Sequence, residues 1–95
     1  MPGGPYLEIS YYEDGRPMIA YLYLHGKNGI KSAKNRQVAP GYVLDFTADG
    51  HVIGVELLYP DEVTLEAINQ ILQQFGEAPI TKSDLGARRA MPGTA

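Results

Sequence analysis

Apolar and polar residues alternate along Tyr6-Leu7-Glu8-Ile9-Ser10-Tyr11-Tyr12, a tyrosine-rich run that predicts a β-strand. Glu13-Asp14-Gly15-Arg16-Pro17 is turn chemistry, because glycine accepts positive φ and proline interrupts pairing. Met18 to Leu24 is a second apolar run, close enough to the first to form a hairpin. Residues 25–37 are polar and without periodicity, which predicts the longest loop of the chain. A Pro40-Gly41 break leads to a third strand, Tyr42 to Phe46. Thr47-Ala48-Asp49-Gly50 then forms a hairpin loop to a fourth strand, His51 to Leu58.

The period changes after Pro60. Leu65, Ile68, Ile71, Leu72 and Phe75 fall on one stripe, with Glu66, Asn69, Gln70, Gln73 and Gln74 opposite. This predicts an amphipathic helix over 62–75, capped by Asp61 or Thr64 and closed by Gly76. Ser83-Asp84 offers a cap for a short second helix reaching Ala90. The expected organisation is a leader over 1–5, one β-rich domain over 6–76, and a tail over 77–95 acting as a short helix or partner-contacting arm. The expected fold class is α+β: a four-stranded antiparallel meander with one amphipathic helix packed on one face.

Pairing can be tested on the sequence. Phe46 opposite His51 aligns Leu44 with Ile53, Tyr42 with Val55 and Asp45 with Val52, and gathers Tyr42, Leu44, Phe46, Ile53, Val55 and Leu57 on one apolar face. Tyr12 opposite Met18 gathers Leu7, Ile9, Tyr11, Ile19, Tyr21 and Tyr23 in the same way. One helix covers one sheet face. Leu22, Leu24, Val43, Val52 and Leu58 then remain on the other, and an apolar face of that size marks a contact surface. Self-association as a homodimer or higher homo-oligomer is the expectation, with an unidentified protein partner as the alternative occupant.

Composition narrows the chemistry. The 95 residues suit one domain, and 44% hydrophobic with 20% charged residues is the balance of an ordinary soluble globular chain. A net charge of −3 argues against general attraction to nucleic acid or an anionic membrane. The absence of cysteine excludes disulfides, zinc–thiolate sites and cysteine nucleophiles. No apolar run approaches a membrane span, residues 1–5 do not read as a signal peptide, and a cytoplasmic location is expected.

Few residues remain that carry chemistry. Asp45 and Glu56 project from the less apolar sheet face and form a candidate ligand-binding or catalytic pair, with His51 nearby. His25 and His51 sit at strand ends without metal-ligand spacing, so no metal and no cofactor are expected. Lys27, Lys31, Lys34 and Arg36 make four of the eight basic residues, and no acidic residue lies between Asp14 and Asp45. That patch is a candidate anion or nucleic-acid contact, against the plainer role of guarding an exposed sheet edge. Gly29-Ile30-Lys31-Ser32 lacks the adjacency of a phosphate loop. Tyr21 and Tyr23 offer rings for stacking, although alternating tyrosines on a strand usually pack into a core.

Tyr12, Leu22-Tyr23-Leu24, Val43-Leu44-Asp45-Phe46, Asp49-Gly50 and Gly54-Val55-Glu56-Leu57-Leu58 together resemble a family of small bacterial proteins known as a domain of unknown function. Ala20 departs from that pattern, which has an acidic residue there. The likeness covers about half the chain and excludes residues 25–37 and the tail after Gly76. It implies a small β-rich domain with one helix, no established activity, and for some members a place in a two-gene pair, as a toxin neutraliser. Asp45, Gly54 and Glu56 match family positions. The reading that combines these lines is a non-enzymatic interaction module acting as a homo-oligomer. The alternatives are a small-ligand or catalytic domain using Asp45 and Glu56 at a subunit interface, and an anion-binding loop.

Overall fold

Alternation of the kind seen in Tyr21-Leu22-Tyr23-Leu24 builds a sheet with two different faces, and the chain divides its side chains accordingly. The computed structural model describes residues 5–24, 31–86 and 88–90. His25, Lys27, residues 1–4 of the leader and the tail beyond residue 90 lie outside the described residues. Five strands are antiparallel neighbours: β1 (Tyr6–Tyr11), β2 (Pro17–Tyr23), β3 (Lys34–Ala39), β4 (Tyr42–Phe46) and β5 (Val52–Leu57). A short β6 (Arg88–Ala90) adds in parallel to β1, giving the order β3-β4-β5-β2-β1-β6.

The four-stranded meander is thereby corrected. Lys34-Asn35-Arg36-Gln37 forms an edge strand inside the stretch expected to be loop, and its first four residues are all exposed. Such a strand carries no apolar alternation, because its first four side chains stay exposed to solvent. Its pairing with β4 and the Pro40-Gly41 turn define it instead. The turn needs glycine: Gly41 has φ +84°, and a Cβ there would lie 2.7 Å from the Tyr59 ring. The strand order also differs, since β2 pairs with β5 and not with β4.

Both expected registers shift. Leu44 lies opposite Val55 and Tyr42 opposite Leu57. Ile53 is then an extra residue on β5, so that Val52, not His51, faces Phe46. This bulge turns Val52 into the core, where it is buried with Leu44, Phe46, Val55 and Leu57. In the first hairpin Leu7 pairs with Leu22 and Ile9 with Ala20, one residue from the expected alignment. Ala20, Leu22 and Leu24 therefore point into the core, while Ile19, Tyr21 and Tyr23 point away.

Helix α1 (Leu65–Gln74) packs on the core face through buried Ile68, Ile71 and Leu72. It starts later than expected because Pro60–Glu62 close a separate 3₁₀ turn. Thr64 then caps the helix, its hydroxyl accepting the Ala67 N–H at 3.1 Å. Burying a Leu or Ile side chain fully stabilises by about 1.5–3 kcal/mol, and Leu72 and Ile68 are at 0% and 1% exposure. The segment after α1 returns to the same core. Asn69 donates to the Ile80 carbonyl at 3.0 Å and accepts from its N–H at 2.8 Å, holding Ile80 in place. Thr81 and Asp84 cap each other's backbone N–H groups at 2.8 and 3.1 Å, and start α2 (Lys82–Gly86). The second helix thus stops before Ala90, and residues 88–90 extend the sheet. No helix among the described residues is long and apolar enough to cross a membrane.

Candidate functional site

With α1, α2 and Ile80 on one side, the other sheet face carries no covering element among the described residues. Its composition follows from the registers. Asn35, Asp45, Gly54, Tyr23 and Tyr6 line up across β3, β4, β5, β2 and β1. The next row is Gln37, Val43, Glu56, Tyr21 and Glu8. Neighbours in a row are about 4.8 Å apart. Asp45 and Glu56 are diagonal neighbours, with Cα atoms about 7–8 Å apart.

The tyrosines are organised before any ligand arrives. The Tyr6 and Tyr23 rings stack with centroids 4.8 Å apart, and Tyr21 meets Tyr23 edge-on at 4.6 Å. The Tyr21 hydroxyl reaches across β5 and donates to Asp45 Oδ2 at 2.8 Å. Gly54 makes this path open: a Cβ there would come within 2.7 Å of Tyr21 Cε2, 2.8 Å of its hydroxyl and 2.5 Å of the Leu22 carbonyl oxygen. Burial pushes the Tyr21 hydroxyl pKa well above its ordinary value, and the bond to Asp45 and the negative fields of Asp45 and Glu56 push it further. Tyr23 is raised by burial first and then by Glu8. Both hydroxyls stay protonated at neutral pH and act as donors.

Across β1 to β5 the charged positions on this face are all acidic. Glu8, Asp45 and Glu56 occupy it, and no Lys or Arg holds a position there in β1 to β5. Arg89 of β6 takes the register position beside Glu8 at the sheet edge. Asp45 and Glu56 lie farther in, where their row neighbours are Asn35, Gly54, Val43 and Tyr21.

The residues singled out in the sequence distribute unevenly. Asp45 and Glu56 share the open face. His51 lies apart, exposed in the β4–β5 turn, with Nε2 3.6 Å from Asp49 Oδ2. Leu22, Leu24 and Val52 are not surface residues: they are buried within the chain at 0%, 5% and 4% exposure. The register shift and the bulge place them on the helix side. Val43 and Leu58 are half-buried. Lys31 precedes β3, and Lys34 and Arg36 stand on the helix side of it, with the Arg36 guanidinium 5.3 Å from the Phe75 ring centroid. Lys27 lies outside the described residues. The basic positions therefore follow one sheet edge, separate from the acidic face. No His, Asp and Glu grouping suited to a metal ion occurs among the described residues.

Tyr6, Tyr21 and Tyr23 belong to this face, although alternating tyrosines on a strand point first to a core. The alternation of Tyr21-Leu22-Tyr23-Leu24 was the signal: with leucines committed to the core, the tyrosines must face the other way. The chain matches no protein family model, no curated protein and no solved structure, so its own residues carry the functional argument.

Proposed function

We propose that this chain is a non-enzymatic binding module whose recognition surface is the helix-free sheet face. One observation supports this reading above the others: Tyr6 and Tyr21, each packed against Tyr23, share a broad, open surface held by five strands with two inner carboxylates. The rings are fixed by each other and by Asp45, so little side-chain freedom is lost on binding. Acid–base catalysis by Asp45 and Glu56 has less support, because the face is open and one member already accepts the Tyr21 hydroxyl.

Amide-resolved NMR titration of the isotopically labelled chain tests this reading. The titrants are a panel of short basic, acidic and neutral peptides and soluble oligosaccharides. Perturbations centred on Tyr21, Tyr23, Gly54 and Glu56 are expected for at least one panel member. Binding confined to the outer side of α1, where Leu65, Asn69, Gln73 and Pro79 line a groove, or to the outer edge of β3, overturns it.

A further inference from the structure

The open face combines carboxylates with aromatic rings. Asp45 accepts one bond from Tyr21, and an ionised carboxylate has about four lone-pair sites, so it retains acceptor capacity. Glu56 stands one diagonal step away. Tyr6, Tyr21 and Tyr23 are half-buried on this face, and an aromatic ring at such a surface is a group on which a guanidinium can stack while it bonds a carboxylate through its N–H fork. An ammonium matches the charge but neither the plane nor the fork.

An extended partner matches the spacing of these groups. Asp45 and Glu56 form a diagonal pair about 7–8 Å apart, and Tyr21 and Tyr23 leave β2 about 6.8 Å apart. In an extended peptide, side chains at i and i+2 leave the same side about 6.8 Å apart. We propose, on the basis of the binding-surface reading above, that this face binds an extended protein segment carrying arginine at alternate positions. A second copy of the chain docked by the same face is the poorer occupant, since a two-fold interface would set Asp45 and Glu56 against like charges.

The probe is an acetylated, amidated and fluorescently labelled peptide that alternates arginine with threonine, measured by anisotropy against the full chain. Comparison peptides replace every arginine with lysine, or place the arginines consecutively. The expected order of affinity is alternating arginine, then lysine, with consecutive arginines weaker than alternating ones. Asp45→Asn with Glu56→Gln should weaken binding at least tenfold with the fold intact by circular dichroism. Glu66→Gln with Glu77→Gln removes the same two charges far from the face, and should change binding less than about twofold. Equal losses from the two double variants reduce the effect to net charge and overturn the proposal. No preference for arginine over lysine overturns it as well. Absence of peptide binding while an oligosaccharide or neutral peptide perturbs the same face overturns this inference but leaves the binding-surface reading standing. Concentration-dependent dimerisation that perturbs those amides also overturns it, in favour of a second copy.

Discussion

Replacing Gly54 by alanine adds one methyl group at a crowded point between β2 and β5. The new Cβ would sit 2.5 Å from the Leu22 carbonyl oxygen, about 0.9 Å short of the 3.4 Å where ordinary contact begins. Two opposing effects decide the sign. Alanine restricts the unfolded chain, which alone would stabilise by about 0.4–1 kcal/mol. Overpacking in a filled region costs about 1–3 kcal/mol, and this clash is with backbone, which moves only with its strand. Leu22 is at 0% exposure in the core, so a retreat of β2 would open that core. Overpacking wins, with a net loss of about 1–2 kcal/mol and a fall in Tm of roughly 4–16 °C for a domain of this size. Urea unfolding followed by far-ultraviolet circular dichroism reads the loss as a lower midpoint at unchanged slope. Tyr21→Ala in the same chain removes the ring contacts at 2.7 and 2.8 Å but not the carbonyl contact. The double variant should therefore recover only part of the Gly54→Ala loss. A Gly54→Ala chain as stable as the parent, or full recovery by Tyr21→Ala, refutes the reasoning.

Three further outcomes follow from the packing. Asn69→Ala should destabilise by about 1–3 kcal/mol, because it leaves both polar groups of Ile80 without their partner. Limited proteolysis should then cut after α1 first, and unchanged cleavage would count against the tie. Leu72→Ala should cost about 2–5 kcal/mol by denaturant unfolding, since the side chain has no exposed area in which to collapse, and a loss below about 1 kcal/mol would contradict that burial. Tyr21 carries a pH signature. Its folded pKa is raised, so the unfolded chain gives up the proton first. Its contribution is whole below the unfolded value of 10.0 and is lost as pH rises past it. Stability measured from about pH 8 to about pH 11 should fall less steeply in Tyr21→Phe than in the parent. Parallel slopes would mean that the hydroxyl is not held as described.

How much of this was legible in the sequence depends on whether each signal is local. Helix α1 was legible because Leu65, Ile68 and Leu72 repeat at helical spacing, and Thr64 supplies a cap. The strands β1, β2, β4 and β5 were legible from alternation. Strand β3 was not, since exposed Lys34 to Gln37 receive their structure from β4 and not from their own pattern. The registers failed at irregular points, the extra Ile53 and the step near Tyr11, where one residue changes which side chains face the core. That error placed Leu22, Leu24 and Val52 on the wrong side. Asp45 and Glu56 were recognisable as face residues, but their closeness was hidden, because it depends on the same shifted register. The tyrosine array follows from the shifted β1–β2 register, whereas the Tyr21–Asp45 bond required the β2–β5 pairing, which no short window of sequence contains.

That pairing also divides the sheet kinetically. The β1–β2 hairpin and the β3-β4-β5 meander are each stitched by neighbours in sequence, whereas β2 and β5 join residues as distant as Leu22 and Val55. Among the antiparallel pairings, closing that seam carries the largest chain-entropy cost and belongs to the slow step of folding. Gly54 and Leu22 lie on the seam itself. Sequence freedom there is limited twice, by the native fit and by the rate at which two preformed halves can meet. The turns at Gly15 and Gly50 belong to halves that form before they meet, and changes in them should act mainly on the folding rate.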